Sequence, residues 1–260
     1  MEELNEIEIM EREYHWFLQT EIPSCVKYLR NILQECKGRL PFTISEIGRP
    51  VREERLMMNP ANGGDYLKCV ATVTGTSVTA ADVTFRISSL KNPPQMIRFG
   101  IPPEAPYLLQ QLQDAFNSVS EALLELTVKE DSYEYRSAEE VTRLVQPVVT
   151  HLMRARTTLT IPKKRTFEEL KSPAHRRHFV PPLPNDMSAS FYIQAHKMIF
   201  ALYQVLPSAQ NFDCFQAEVS IPWLTEVMVL LTVALQSCQQ LLDKVNIFTQ
   251  NLDLAPKSFE

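Results

Sequence analysis

Apolar residues recur at helical spacing along several long stretches of the chain. The first stretch, residues 4–36, carries one apolar stripe and contains Pro23, which removes a backbone donor and predicts a kink near Thr20. A second helix is predicted after Pro103 and ends near residue 126. A third follows Ser137, which begins a capping box with Glu140.

The last helical stretch, residues 222–248, has the most regular pattern. It opens with Pro222, a favoured residue at the first helical position. Its apolar residues follow one another in alternating steps of four and three, the spacing of a helix that packs along one seam. They are Leu224, Met228, Leu231, Leu235, Cys238, Leu242 and Val245. We expect such stripes to close against one another inside one chain rather than to form an intermolecular zipper.

Between the first two helices the pattern changes to a period of two. Three alternating segments bounded by glycines predict an antiparallel meander, at residues 67–73, 83–87 and 97–101. Shorter extended segments are predicted at 42–44, 158–161 and 217–221. Residues 186–206 have a broad apolar face and predict a further helix that packs on the sheet.

The predicted architecture follows from the direction of each helix, toward the strands or away from them. The fold class is α+β, mostly α: an antiparallel four-helix bundle of long helices with a second, smaller domain of antiparallel β-sheet plus a packed helix. The bundle comprises residues 1–38, 105–157 and 222–254. The β-containing domain comprises residues 39–104 and 158–221. All six glycines lie between Gly38 and Gly100, which favours long helices in the remaining chain.

Composition and charge narrow the class of protein. The net charge of −5 argues against a nucleic-acid-binding protein, which usually carries a basic face. Five cysteines at irregular spacing do not form a disulfide framework, and the acidic N-terminus does not resemble a signal peptide. The most apolar run is shorter than the roughly 18 residues of a membrane span. These features predict a cytoplasmic protein that is monomeric when isolated.

The common motifs of enzyme active sites do not occur in the sequence. It contains no glycine-rich phosphate loop, no nucleophile elbow and no zinc-protease helix. His175 and His178 form an H-x-x-H pair, but a structural zinc site normally needs four ligands, and no further Cys or His lies nearby. The sequence therefore predicts no catalytic residue, no cofactor and no metal, although a cysteine nucleophile assembled in space stays an alternative.

Basic residues cluster between the third predicted helix and residue 178. They are Lys163, Lys164, Arg165, Arg176 and Arg177. A solvated connector is one interpretation; a docking site for an acidic partner or for anionic lipid headgroups is the other. These five residues are the candidate partner-binding site. The prolines at 181, 182 and 184 favour a rigid link over a polyproline ligand.

Five segments of the chain together resemble the Rogdi family in order and spacing. They are EREYHWFLQTEIPSCVKYLRNIL, SYEYRSAEEV, LMRARTTLTIP, FVPPLPNDM and IPWLTEVMVLLTVALQSCQQLLDKV. The resemblance spans nearly the whole chain. It departs from the family pattern between residues 207 and 221, where other members are expected to carry a longer insertion.

The resemblance implies a function that the residue patterns do not show. Rogdi-like proteins are the small, non-catalytic subunit of the RAVE (rabconnectin-type) complex, which promotes assembly of the peripheral V1 sector of the V-ATPase onto the membrane V0 sector. The expected partners are a rabconnectin-type subunit and V1 subunits. The expected location is peripheral, on endosomal, lysosomal or synaptic vesicle membranes, whose acidification would depend on the complex. A vesicle-trafficking adaptor that acts independently of the V-ATPase is the alternative.

Overall fold

A computed structural model of the chain describes residues 2–40, 53–63, 66–87, 95–129, 133–164, 166, 168–169, 172, 178–205 and 212–254. The chain divides into two compact units. The helical unit comprises Met1–Arg39, Asn117–Arg156 and Val227–Glu260. The sheet unit comprises Leu40–Phe116 and Thr157–Glu226.

The helices follow the apolar stripes closely. They are α1 (Glu2–Trp16), α2 (Ile22–Arg39), α3 (Gln110–Thr127), α4 (Ala138–Thr160) and α5 (Pro222–Leu254). In α5 the residues spaced by seven, Leu224, Leu231, Cys238 and Val245, are all buried within the single chain, as the stripe predicts. At the start of α4 the Glu140 amide donates to the Ser137 hydroxyl (3.3 Å), and the Glu140 carboxylate accepts from the Arg136 amide (3.1 Å).

A π-helical turn, Phe17–Glu21, joins α1 to α2. The Ile22 amide donates to the carbonyl of Phe17, five residues earlier. Pro23 has no amide proton with which to continue the α-helical pattern. The hydroxyl of Ser24 donates to the Thr20 carbonyl at 2.9 Å. A π turn therefore lies at the position of the kink predicted near Thr20.

Contacts between helices hold the helical unit together. The ring of Phe248 on α5 lies 4.9 Å from that of Phe17 and 5.7 Å from that of Tyr14, measured between centroids. Lys244 forms an ion pair with Glu21. The Tyr14 hydroxyl accepts a hydrogen bond from the backbone amide of Ala138 at 2.8 Å. These contacts join α1, the π turn, α4 and α5.

In the described part of the sheet unit, eight strands form one antiparallel sheet. They are β1 (Glu53–Pro60), β2 (Leu67–Thr74), β3 (Ser77–Ile87), β4 (Gln95–Ile101), β5 (Tyr107–Leu108), β6 (Met187–Gln194), β7 (Lys197–Val205) and β8 (Phe212–Ser220). The order across the sheet is β4-β3-β2-β1-β8-β7-β6, and β5 pairs with β3. Strand β2 alternates between buried and more exposed positions along its length. The edge strands are β4 and β6.

The predicted fold class is wrong. An eight-stranded sheet replaces the small sheet that was expected beside a four-helix bundle, and the helix expected at residues 186–206 is the hairpin of β6 and β7. Every residue of β6 except Gln194 is buried, including Ser188 and Ser190. In β7 the apolar and aromatic residues 198–203 are buried on both faces of the sheet. Such a strand has no period of two, and periodicity alone does not distinguish it from a buried helix. Ala195, at φ 56°, makes the turn between the two strands.

Other elements differ from the prediction at their ends. The three meander strands are confirmed as β2, β3 and β4, and the segment at 217–221 belongs to β8. Residues 158–160 are helical rather than extended, because α4 continues to Thr160. The helix predicted after Pro103 begins only at Gln110, since residues 107–108 pair with β3. The segment at 42–44 lies outside the described residues, and β1 was not predicted.

Candidate docking site

Two of the predicted partner-binding residues line a cavity in the sheet unit. Lys163 and Lys164 follow the end of α4 and are exposed. The cavity has a volume of about 320 Å³. Its other walls come from β5, from the first turn of α3 and from β6. Both lysines therefore lie beside a concave surface.

Buried aromatic residues form the apolar part of the cavity. Tyr107 on β5 and Phe191 on β6 have ring centroids 5.6 Å apart, and both are almost fully buried. Tyr192, also buried, accepts a hydrogen bond at its hydroxyl from the Gln216 amide group at 3.0 Å. Burial raises the pKa of the Tyr192 phenol well above its usual range, so this side chain is neutral at physiological pH.

Gln111, in the first turn of α3, fixes the arrangement of the cavity walls. Its side-chain amide donates to the carbonyls of Thr158 (2.8 Å), Ile161 (3.1 Å) and Ile193 (3.0 Å). Its side-chain oxygen accepts from the Ile193 amide at 2.9 Å. Gln111 is only 3% exposed. One side chain thus joins α3, the end of α4 and β6, the elements that carry the lysines and aromatic residues.

The end of α4 is also attached to the β6–β7 turn. The last carbonyls of a helix have no partner within the helix. Gln111 binds one of them at Thr158, and the backbone amide of Ala195 donates to another, at Leu159, at 2.8 Å. These bonds hold the chain that leads to Lys163 against the sheet.

The cavity has charged side chains of both signs, including the adjacent lysines Lys163 and Lys164. The Nζ of Lys163 lies 3.9 Å from the Asp114 carboxylate, which also accepts a hydrogen bond from Gln110 at 2.8 Å. Glu169 lines the same cavity. Desolvation raises the pKa of the Cys214 thiol, and the positive charge of Lys164 opposes that rise, which places the Lys164 charge near β8 as well.

The remaining predicted site residues lie outside the described residues. These are Arg165, Arg176 and Arg177, together with His175 of the H-x-x-H pair. His178 is described and exposed, and its ring centroid lies 6.2 Å from that of Tyr107. Gln111, Tyr107 and Phe191 were not among the predicted site residues. No local pattern marks Gln111, because its partner Ile193 lies 82 residues away.

The cysteines in the described part of the chain have raised thiol pKa values. Burial raises the pKa of Cys36 and of Cys238 to about 12, and that of Cys69 higher still. These three thiols are therefore protonated at neutral pH, whereas the thiolate is the reactive form. Among the described residues, no group of three or more His, Cys, Asp and Glu side chains is arranged to hold a metal ion.

A second polar cluster lies in the helical unit, between α3 and α4. Lys129 and the hydroxyl of Tyr133 both bind the Glu140 carboxylate, and these bonds lower its pKa to about 2. The Lys129 ammonium also lies 3.7 Å from the centre of the Tyr133 ring. Arg30 donates to the carbonyls of Leu126 and Lys129, each at 2.8 Å, and so binds the end of α3. The cluster joins α2, α3 and α4.

In the part of the chain that the structure describes, one helix is long and apolar enough to cross a membrane. Within Pro222–Asn251 of α5, a stretch of 18 residues has a mean hydropathy of 1.2, and 33% of that stretch is buried. Core helices of soluble proteins have the same composition, so this feature is weak evidence in either direction.

Comparison with known proteins places the chain in a family. The family described as "Rogdi leucine zipper containing protein" matches residues 13–219. The protein named "Protein rogdi" from Drosophila melanogaster is 38% identical over 240 residues, covering 91% of this chain and 87% of the relative. "Protein rogdi homolog" from Homo sapiens is 30% identical over 277 residues, covering 95% of each. The relative of that name from Caenorhabditis elegans is 26% identical over 247 residues, covering 87% of this chain and 83% of the relative. This chain therefore belongs to the Rogdi family.

Proposed function

We propose that this protein is a non-catalytic scaffold subunit of a RAVE-type complex. In that role it would bind a rabconnectin-type subunit and V-ATPase V1 subunits, and promote assembly of V1 onto V0. Membership of the Rogdi family across most of the chain is the observation that carries the proposal. The acidification of endosomal, lysosomal or synaptic vesicles would then depend on the protein indirectly.

The docking cavity supplies a surface suited to such a role. Lys163 and Lys164 stand beside buried aromatic rings, so a bound segment would meet both an apolar wall and positive charge. Interfaces commonly combine an apolar anchor in a pocket with charged groups at the rim, where charge sets specificity and association rate. We propose that an acidic segment of the rabconnectin-type partner binds here with an apolar side chain in the cavity.

Gln111 makes this surface rigid before the partner arrives. Its bonds to α4 and β6 hold the lysine-bearing chain against the aromatic wall. A surface that is already ordered loses less conformational freedom on binding, which favours affinity. A scaffold subunit that presents a fixed surface needs no reactive group, and the protonated state of the buried thiols agrees with that role.

The test compares two charge-reversal variants in cells that lack the native protein. Lys163→Glu with Lys164→Glu should reduce co-purification of the rabconnectin-type subunit and raise the luminal pH of acidic vesicles. The control variant, Arg12→Glu with Arg154→Glu, changes the net charge by the same amount at exposed positions of the helical unit. It should leave the co-purification of the rabconnectin-type subunit and the luminal pH unchanged.

Two outcomes would contradict the proposal at different levels. If deleting the whole protein left V1–V0 assembly and luminal pH normal while the chain still associated with vesicles, the trafficking-adaptor alternative would replace the V-ATPase role. If deletion impaired assembly but the lysine variant restored it fully, the docking cavity would be excluded as the partner site, and the role itself would stand.

A further inference from the structure

Strand β4 presents an edge of the sheet that is only partly paired. Ile97, Phe99 and Ile101 have backbone groups that face β3, whereas Met96, Arg98 and Gly100 face away from it. Gly100 exchanges two hydrogen bonds with Val180, of 2.9 Å and 2.8 Å. Among the described residues, no backbone bond joins a partner to Met96 or Arg98 on this side.

Prolines explain why the internal pairing stops at Val180. In the antiparallel register of that bridge, the next positions that would bond lie two residues away on each side. Residue 182 would then face Arg98, and residue 102 would face His178, but both 182 and 102 are prolines. Proline has no amide proton to donate to a neighbouring strand. Within the described ranges, the chain thus covers Gly100 and leaves the edge at Met96 and Arg98 available.

An open groove of about 510 Å³ adjoins this edge at Arg98 and Gly100. Residues 81–84 of β3 line it as well, together with Val180 and Pro181. Arg98 is exposed, and Arg86, also exposed, pairs across the strands with Met96. Asp82 lies opposite Gly100, at the end that Val180 already covers. The uncovered part of the edge is therefore positively charged.

We propose that this edge binds an extended acidic segment of a partner protein as an added antiparallel strand. The segment would bond to the amides and carbonyls of Met96 and Arg98, and its carboxylates would face Arg98 and Arg86. A second copy of this chain fits less well, because pairing β4 with β4 would bring the Arg98 side chains of both copies together. This edge shares no lining residue with the docking cavity, so the two inferences are independent.

The test uses the full chain and short capped peptides of alternating valine and glutamate, or of alternating valine and lysine. Hydrogen exchange at single amides, followed by NMR, should slow at Met96 and Arg98 when the glutamate peptide is added. The lysine peptide should have little effect. Arg98→Pro, which removes an outward-facing amide proton, should weaken binding of the glutamate peptide roughly fivefold to tenfold, the loss of one hydrogen bond.

Charge variants separate strand addition from general attraction. Arg98→Glu should reverse the preference between the two peptides. Arg55→Glu, at an exposed position of β1, which β2 and β3 separate from β4, should not change it. Equal effects of both peptides, or unchanged exchange at Met96 and Arg98 with excess glutamate peptide, would overturn the proposal. If hydrogen exchange at these two amides slows as the protein concentration rises, with no peptide present, two copies of the chain pair with each other. That result would also overturn the proposal.

Discussion

At one edge of the sheet the side chain of Gln111 binds both backbone groups of Ile193 in β6, whereas at the other edge β4 has one backbone bridge, at Gly100, among the described residues. The first edge is buried, and the second exposes Met96 and Arg98. An exposed strand edge can recruit other chains, and proteins usually cover or charge it. Here one edge is covered by a glutamine and the other carries arginines.

The largest expected effect concerns the covered edge. Gln111→Leu would leave the amide and carbonyl of Ile193 and the carbonyl of Thr158 without their partner in a buried place. We expect the free energy of unfolding, measured by urea titration, to fall by about 3–5 kcal/mol. Gln110→Leu, at an exposed neighbouring position, should change it by no more than about 0.5 kcal/mol. A Gln111→Leu protein as stable as the Gln110→Leu protein would refute the role given to Gln111.

The sequence predicted the parts of the fold in which one face is buried. The stripes of α3, α4 and α5 and the alternation of β2, β3 and β4 each reflect a buried face and an exposed face. The pattern did not predict β7, because its residues 198–203 are apolar or aromatic and buried on both faces. It did not predict β1, because the first residues of that strand, Glu53, Glu54 and Arg55, are charged. Strand β6 alternates at Met187, Ser188, Ala189 and Ser190, but it continues into the apolar residues of β7, and the two were predicted as one helix. The pattern of apolar and polar residues reveals a helix or a strand only where one of its faces is buried and the other is exposed.

Of the candidate site, only the positively charged residues could be predicted from the sequence. Lys163 and Lys164 stood out because they are adjacent in a basic segment, but the cavity beside them depends on Tyr107, Phe191 and Gln111 from distant parts of the chain. The helix predicted over residues 186–206 assigns Phe191 to a helix face, whereas in the structure Phe191 lines the cavity. Such a site depends on contacts between residues that are far apart in the chain. No local pattern in a single sequence encodes those contacts.

The next largest effect tests how closely β4 approaches β3. A Cβ atom at Gly100 would lie 2.1 Å from the carbonyl oxygen of Ala81, so β4 would have to move away from β3. We expect Gly100→Ala to lower the free energy of unfolding by about 2–3 kcal/mol. Gly38→Ala is the matched control. A Cβ atom at Gly38, inside α2, meets no atom within 4 Å, so this change should stabilise the protein by about 0.5–1 kcal/mol. Equal effects at the two glycines would contradict the close approach.

The smallest expected effect distinguishes the two sides of β4 directly. Arg98 directs its amide away from the sheet, and Ile97 directs its amide toward Phe85 in β3. Proline removes the amide proton at either position, but only at Ile97 does that break the sheet. We expect Arg98→Pro to lower the free energy of unfolding by at most about 1 kcal/mol and Ile97→Pro to lower it by about 3 kcal/mol or more. If both substitutions proved equally harmful in urea titration, the Arg98 amide would have a partner within the protein, and the edge would not be open to an added strand.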